Sequence, residues 1–215
     1  MLVSDIMTIN PVTVRTGTPL TDTQVLMRQE KVHRLPVVDA QGRLCGIVSE
    51  KDLLNVAPSQ ASTLDMYEMV SLLSKIKVDD VMTRKVITVG SDSLVEDAAR
   101  LLADNDIGGV PVVNDQQAVV GIVTESDLFH LFIEMFGSRK KGLRICFLVP
   151  EQRGELAEIA GAIAAQGGNI LAVGTAPGTD SSNVRCIMKL EGMAQDLVLK
   201  LLAPLVLSVL DVRQV

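Results

Sequence analysis

Two stretches of the chain place a hydroxyl three residues ahead of a carboxylate, just after a glycine. They are Gly46-Ile47-Val48-Ser49-Glu50-Lys51-Asp52-Leu53 and Gly121-Ile122-Val123-Thr124-Glu125-Ser126-Asp127-Leu128. These residue types have two chemical uses. Glycine lets the backbone pass close to a neighbour or a ligand. Ser49 or Thr124, at the start of a helix, can join the free first-turn N–H groups in holding a phosphate or carboxylate. Asp52 or Asp127 can accept both hydrogen bonds of a ribose 2′,3′-diol. The same hydroxyl and carboxylate can equally cap the following helix by satisfying its first amides. Recurrence does not choose between these uses, because a cap would recur as readily as a binding group.

The two stretches belong to a larger repeat. Asp5-Ile6-Met7-Thr8 returns as Asp80-Val81-Met82-Thr83, and Pro36-Val37-Val38 as Pro111-Val112-Val113, all at an offset of 75 residues. One supersecondary unit is therefore present twice. Each copy opens with a short extended segment, Val12-Thr13-Val14 or Ile87-Thr88-Val89. A helix follows, Leu20–Glu30 or Leu94–Asp104, with Thr18 or Thr21 and Ser91 or Ser93 as expected caps. The Pro-Val-Val strand comes next, then a turn, then a strand through the glycine, and the closing Asp starts another helix. Such β-α-β-β-α units each leave one apolar sheet face to cover, so the copies are expected to pack about a pseudo-two-fold axis. The apolar spacing from Thr63 to Leu73, including Leu64, Met66, Tyr67 and Met69, predicts a buried helix in the connector.

Composition excludes several function classes. The 215 residues carry 20 basic and 26 acidic side chains, a formal charge of −6, and only 2% aromatics with no Trp. Single-stranded nucleic acid needs stacking rings and a basic groove. Duplexes need phosphate-neutralising cations. Neither supply is present, so no nucleic-acid partner is expected. Leu197–Leu210 is interrupted by Lys200 and Pro204 and is shorter than the roughly 20 residues that span a bilayer. The first residues lack a basic region followed by an apolar core. A cytoplasmic protein with no membrane partner is the expectation. Only two histidines, His33 and His130, argue against a His-rich metal site. Cys45, Cys146 and Cys186 are expected to be reduced and to pack as small hydrophobes.

The twice-present D-[IV]-M-T opening, PVV strand and G-h-h-[ST]-x-x-D-L close resemble a tandem CBS-domain pair, or Bateman module. The resemblance implies repeats over residues 1–56 and 78–136, joined by a helical connector over 57–77. It also implies two clefts that take an adenosyl ligand, AMP, ADP, ATP or S-adenosylmethionine. Each cleft would combine the close of one repeat with the opening Thr, first strand and pre-PVV residues of the other. One cleft would use Thr8, Thr13, His33, Arg34, Thr124 and Asp127. The other would use Ser49, Lys51, Asp52, Thr83, Thr88, Gly108 and Gly109. Arg34 is a charge-assisted phosphate partner, and the second cleft has glycines in its place, so nucleotide phosphates are expected to favour the Asp127 cleft. With so few rings, an adenine must be held by aliphatic side chains and backbone.

Residues 137–142, around Arg139-Lys140-Lys141, read as a linker. Beyond them, residues 143–215 show a β-α-β-β-α-β order, a ferredoxin-like split motif. Gly154 and Gly168-Asn169-Ile170 resemble the loop glycine and strand entry of ACT domains. This implies a dimerisation role, or amino-acid binding at Gly154, Asn169 and Ile170. The loop Val149–Gly154 lacks the Asp or Asn before Pro-Gly that effector-binding members usually show. In that fold the first and third strands are neighbours, placing Cys146 close to Cys186. The fold class is thus α/β (α+β), two CBS repeats followed by an ACT-like domain, an order similar to that of acetoin-utilization regulators.

The reading is a non-enzymatic, homodimeric regulatory sensor, acting on an unidentified enzyme, in acetoin or acetate metabolism. No G-x-S-x-G elbow, P-loop or H-E-x-x-H is present, so no catalytic residue and no catalytic cofactor is expected. A structural adaptor with unoccupied clefts is the rival, as is an amino-acid sensor working through the C-terminal domain.

Overall fold

A computed structural model describes residues 1–56 and 75–215. The connector helix expected at 63–73 lies outside the described residues. The chain forms two compact units, Met1–Leu128 and Phe129–Val215.

The first unit carries the repeat as two three-stranded sheets. The opening motif of each copy folds as a single turn, Val3–Asp5 or Val78–Val81 (α3). In the first copy β1 (Thr8–Ile9), β2 (Val14–Arg15), α1 (Leu20–Glu30), β3 (Arg34–Val38), β4 (Leu44–Ser49) and α2 (Glu50–Val56) follow. In the second come α4 (Val95–Asp104), β5 (Gly109–Val113), β6 (Val119–Thr124) and α5 (Glu125–Met135). The sheet orders are β2-β3-β4 and β1-β6-β5, so β1 of the first copy lies in the second copy's sheet. The exchange is reciprocal: Thr8 pairs with Ile122, and Thr83 with Ile47.

This exchange builds the cores. Val3 is wholly buried in the second copy's cluster with Val110, Val112 and Val123. Its counterpart Val78 is wholly buried with Leu35, Val37 and Val48 of the first. Burying one such side chain is worth about 1.5–3 kcal/mol. The methionine of each opening motif lies over the glycine of the other copy's closing strand. A Cβ on Gly46 would overlap the Met82 thioether, with Cγ at 2.8 Å and the Thr83 carbonyl at 3.0 Å. A Cβ on Gly121 would meet Met7 in the same way. The glycines of the two chemical stretches are thus explained first by packing.

The expected side-chain caps are not used. Pro19 and Leu94 hold the N-cap positions of α1 and α4, with no side-chain cap bond. The first helical amides are met instead by backbone of the exchanged segments: Leu20 N–H donates to the Ile76 carbonyl at 2.9 Å, and Val95 N–H to the Met1 carbonyl at 3.2 Å. A partner 56 or more residues away replaces the local hydroxyl, which is why Thr18, Thr21, Ser91 and Ser93 misled.

The second unit contains β7 (Leu143–Pro150), α6 (Glu155–Ala165), β8 (Asn169–Pro177), β9 (Asn183–Glu191), α7 (Gln195–Leu202) and β10 (Ser208–Gln214). They form one antiparallel four-stranded sheet in the order β10-β7-β9-β8. Both helices contribute to a core of Ile145, Phe147, Ile159, Ile163, Met188, Val198 and Leu202. The division between the units falls inside α5, ahead of the polar stretch 137–142. The reason is packing: Phe136 lies against Gly174 of β8, where a Cβ would come within 2.6 Å of the ring, and the Lys189 ammonium donates to the Gly137 carbonyl at 2.8 Å.

Cys146 and Cys186 lie on the paired strands β7 and β9, and both thiols are free. Cys186 faces Phe147, while Cys146 faces Ile187 one register step away. Successive residues of a strand point to opposite faces, so the two thiols sit on either side of the sheet. Burial pushes the Cys186 thiol up to about 11, helped by Cys146 and Glu155.

Two outcomes follow from this packing. Gly46→Ala should cost about 1–3 kcal/mol in denaturant unfolding through overpacking against Met82, and its effect should be less than additive with Met82→Ala. At pH 8, Cys186 should resist iodoacetamide in the folded protein and react after unfolding. Labelling of Cys186 in the native state, mapped by mass spectrometry, would contradict its placement.

Candidate functional site

Strand register places the chemical residues of the first unit. In β3–β4 Arg34 lies opposite Ser49, and in β5–β6 Gly109 lies opposite Thr124. The hydroxyl residue therefore ends one strand, beside the residue that starts its neighbour. α2 and α5 begin on the very next residue, Glu50 or Glu125, two positions before the expected start at the aspartate.

At this strand–helix corner the aspartate turns back. Asp52 Oδ2 accepts from the Ser49 N–H at 2.8 Å and its hydroxyl at 2.6 Å. Asp127 Oδ2 accepts from the Thr124 N–H and hydroxyl, both at 2.7 Å. The Asp52 N–H also reaches the Ser49 hydroxyl at 3.4 Å. At Ser49 and Asp52 this is the reciprocal capping box of a helix start; at Thr124 and Asp127 the carboxylate half of the same box is formed. Among the described residues only Oδ2 of each carboxylate is engaged, which leaves Oδ1 open. Capping and binding a diol are thus compatible in one residue.

Two cavities flank these corners. One, of about 590 Å³, is lined by Thr8, Asn10, Pro11, Val12, Glu30, Lys31, Val32, His33, Arg34, Pro36, Gly108, Ile122, Thr124, Glu125, Ser126 and Asp127. The other, of about 450 Å³, is lined by His33, Arg34, Ile47, Ser49, Glu50, Lys51, Asp52, Thr83, Lys85, Val86, Ile87, Asp106, Ile107, Gly108 and Gly109. Both fall within the 300–1,000 Å³ typical of small-molecule sites. Each joins the closing corner of one copy to the opening threonine of the other, as the strand exchange requires. Their apolar walls are aliphatic: Pro11, Val12 and Ile122 in one, Ile47, Val86 and Ile107 in the other.

The structure gathers Thr8, His33, Arg34, Thr124 and Asp127 in the larger cavity. It gathers Ser49, Lys51, Asp52, Thr83, Gly108 and Gly109 in the smaller. Thr13 and Thr88 line neither, and the residues just before them take their places: Asn10, Pro11 and Val12, and Lys85, Val86 and Ile87. The family resemblance implies the threonines of each first strand. The backbone enters the cavity earlier, where the exchanged segment leaves the partner sheet.

The assignment of Arg34 to one cleft alone is corrected. Arg34 and His33 line both cavities, and the smaller one also holds Lys51 and Lys85. The preference of phosphates for the Asp127 cleft therefore loses its basis in a cation present on one side only. Burial pulls the Arg34 guanidinium below its ordinary value, and the charge of Glu125 works the other way. His33 Nδ1 lies 2.8 Å from Glu50 Oε2 in an exposed pair. Such a pair is worth about 1 kcal/mol or less.

In the second unit, Gly154 caps α6 at a positive φ of 95°. Asn169 opens β8 and donates from Nδ2 to Glu191 Oε2 at 3.2 Å, and Ile170 packs against the core. These three residues line neither of the two cavities above. No helix among the described residues is long and apolar enough to cross a membrane.

Paired sheets with exchanged openings, and a hydroxyl–carboxylate corner facing each cleft, define a two-cleft module built from one duplicated unit. The chain belongs to the CBS domain family, whose profile matches residues 3–59 and again 78–134. Three solved structures are similar to it. The CBS domain pair of protein MJ0100, in complex with 5′-methylthioadenosine and S-adenosyl-L-methionine, is 31% identical, with a TM-score of 0.52 over 65% of this chain and 98% of that one. A protein assigned to acetoin utilization (AcuB) from Vibrio cholerae is 30% identical, with a TM-score of 0.54 over 65% and 95%. CBSX2 in complex with AMP, a protein from Arabidopsis thaliana, is 30% identical, with a TM-score of 0.53 over 61% and 96%.

The corner itself predicts a stability effect without any ligand. Asp127→Ala should lower unfolding stability by about 1 kcal/mol, and Asp52→Ala by a similar amount, in denaturant titrations. No loss in either variant would remove the capping role.

Proposed function

We propose that this chain is a regulatory sensor that binds adenosyl ligands in the two clefts of its CBS pair. The observation that carries the reading is the duplicated corner. Twice, a serine or threonine and an aspartate with one open carboxylate oxygen face the opening threonine of the other copy across a cavity of nucleotide size. The open Oδ1 of Asp52 or Asp127 would accept from a ribose diol. The aliphatic walls would hold the adenine, and Arg34 with the nearby lysines would meet a phosphate. Complexes of related CBS pairs with AMP and with S-adenosyl-L-methionine support the ligand class.

In this reading the chain does no chemistry of its own. It reports ligand through a change in the relation of its two repeats, which requires different ligand affinity in two conformations. The C-terminal unit would act as an ACT-like, ferredoxin-like module that pairs two copies and passes the signal to a regulated enzyme. Its element order and its 4-1-3-2 antiparallel sheet support this. The likeness to AcuB supports a place in acetoin or acetate metabolism. A cytoplasmic setting accords with the free buried thiols Cys146 and Cys186.

Thermal unfolding with AMP, ATP, S-adenosylmethionine and 5′-methylthioadenosine tests the reading. A ligand at 100 times its Kd should stabilise the protein by about 2.7 kcal/mol. Absence of any shift across the panel would favour an adaptor with unoccupied clefts.

A further inference from the structure

The two copies differ at the residues just before their Pro-Val-Val strands. His33-Arg34 in the first corresponds to Gly108-Gly109 in the second. The glycines make room for the arginine. A Cβ on Gly108 would overlap the Arg34 guanidinium, with Nη1 at 2.8 Å and Cζ at 2.9 Å. A Cβ on Gly109 would meet the same group and Cδ at 2.9 Å. The guanidinium therefore lies along the Gly108-Gly109 backbone, and Arg34 lines both cavities. Its Nη1 is sealed from solvent and has no hydrogen-bond partner among the described residues. A buried donor left without an acceptor is costly, so a small shift of the guanidinium toward an anion in either cleft would relieve that cost.

We propose that Arg34 is a single cation shared by both clefts, so that phosphate groups bound in the two clefts compete for it. This rests on the adenosyl reading and adds its regulation. A phosphate monoester carries about −1.5 to −2 charges, against one on the guanidinium. The first phosphate neutralises Arg34. The second then approaches a centre that is already net negative and partly shielded from salt. Lys31 on one side, and Lys51 and Lys85 on the other, are exposed and face one cleft each. Exposed charges contribute little, so they do not replace the shared group. A phosphate-free adenosyl ligand does not call on Arg34. The module therefore favours mixed occupancy, a phosphorylated ligand in one cleft and an uncharged one in the other.

Calorimetric titration with AMP, and with 5′-methylthioadenosine as the phosphate-free probe, tests this in wild type, Asp52→Ala and Asp127→Ala. Each variant weakens one cleft and reports the intrinsic constant of the other. For AMP, the product of the two wild-type association constants should fall at least fivefold below the product of the single-cleft constants. For 5′-methylthioadenosine the two products should agree within about twofold. In the Asp52→Ala and Asp127→Ala backgrounds alike, Arg34→Gln should weaken AMP about tenfold and leave the phosphate-free probe nearly unchanged. Multiplicative AMP constants in wild type, or an Arg34→Gln effect in only one of the two single-cleft backgrounds, would overturn the sharing. The wild-type and single-cleft comparison decides the matter even if Arg34→Gln folds poorly. Binding of neither probe would instead overturn the adenosyl reading itself.

Discussion

The first unit depends on one constraint: each copy of the repeat lends its opening segment to the other. Val3 and Val78 complete cores that are otherwise built by the opposite copy. Met7 and Met82 fill the space over Gly121 and Gly46. The first amides of α1 and α4 find their acceptors on the exchanged backbone. A single β-α-β-β-α copy would expose an apolar sheet face and leave those amides open, both costly in water. Duplication and exchange remove the two costs together, and the symmetry of the module follows.

The clefts are a by-product of the same exchange. When Thr8 pairs with Ile122, and Thr83 with Ile47, the segment leaving each pairing runs past the strand–helix corner of the other copy. A cavity forms there, bounded by the exchanged segment, the corner and the start of the neighbouring strand. The carboxylate of Asp52 or Asp127 is tied back to its own corner, so on the proposed function its open oxygen would be in place before a ligand arrives. Preorganisation of this kind lowers the ordering cost of binding. On that reading a structural role and a binding role would reinforce each other in the same side chain.

Charge symmetry between the copies is broken at several cleft positions, Lys31 answering to Asp106, Lys51 to Ser126 and Lys85 to Asn10, and one further difference bears on both clefts. Where the first copy carries His33-Arg34, the second carries glycines, and the arginine crosses into the space they leave. Duplicated modules usually carry duplicated functional groups. On the shared-cation proposal the two clefts would be coupled through one group, so ligand charge, and not shape alone, would be something the module senses.

Much of this was legible in the sequence. The constant offset of 75 residues fixed the two halves, and β-branched runs after proline marked the buried strands, because these are local patterns of side-chain type. The hydroxyl–carboxylate pairs were legible too, since both of their uses depend on a three-residue spacing. The order of elements in residues 143–215 followed from apolar periodicity and glycine stops. The tertiary structure alone decided which backbone caps α1 and α4, that Asn10–Val12 and Lys85–Ile87 line the clefts in place of Thr13 and Thr88, and that Cys146 and Cys186 lie on opposite faces of one sheet. It alone placed Arg34 between the two clefts. Each of these depends on a partner many residues distant, or on which face of a strand points inward. No local pattern encodes such a pairing, because it is set by how the two copies close on one another.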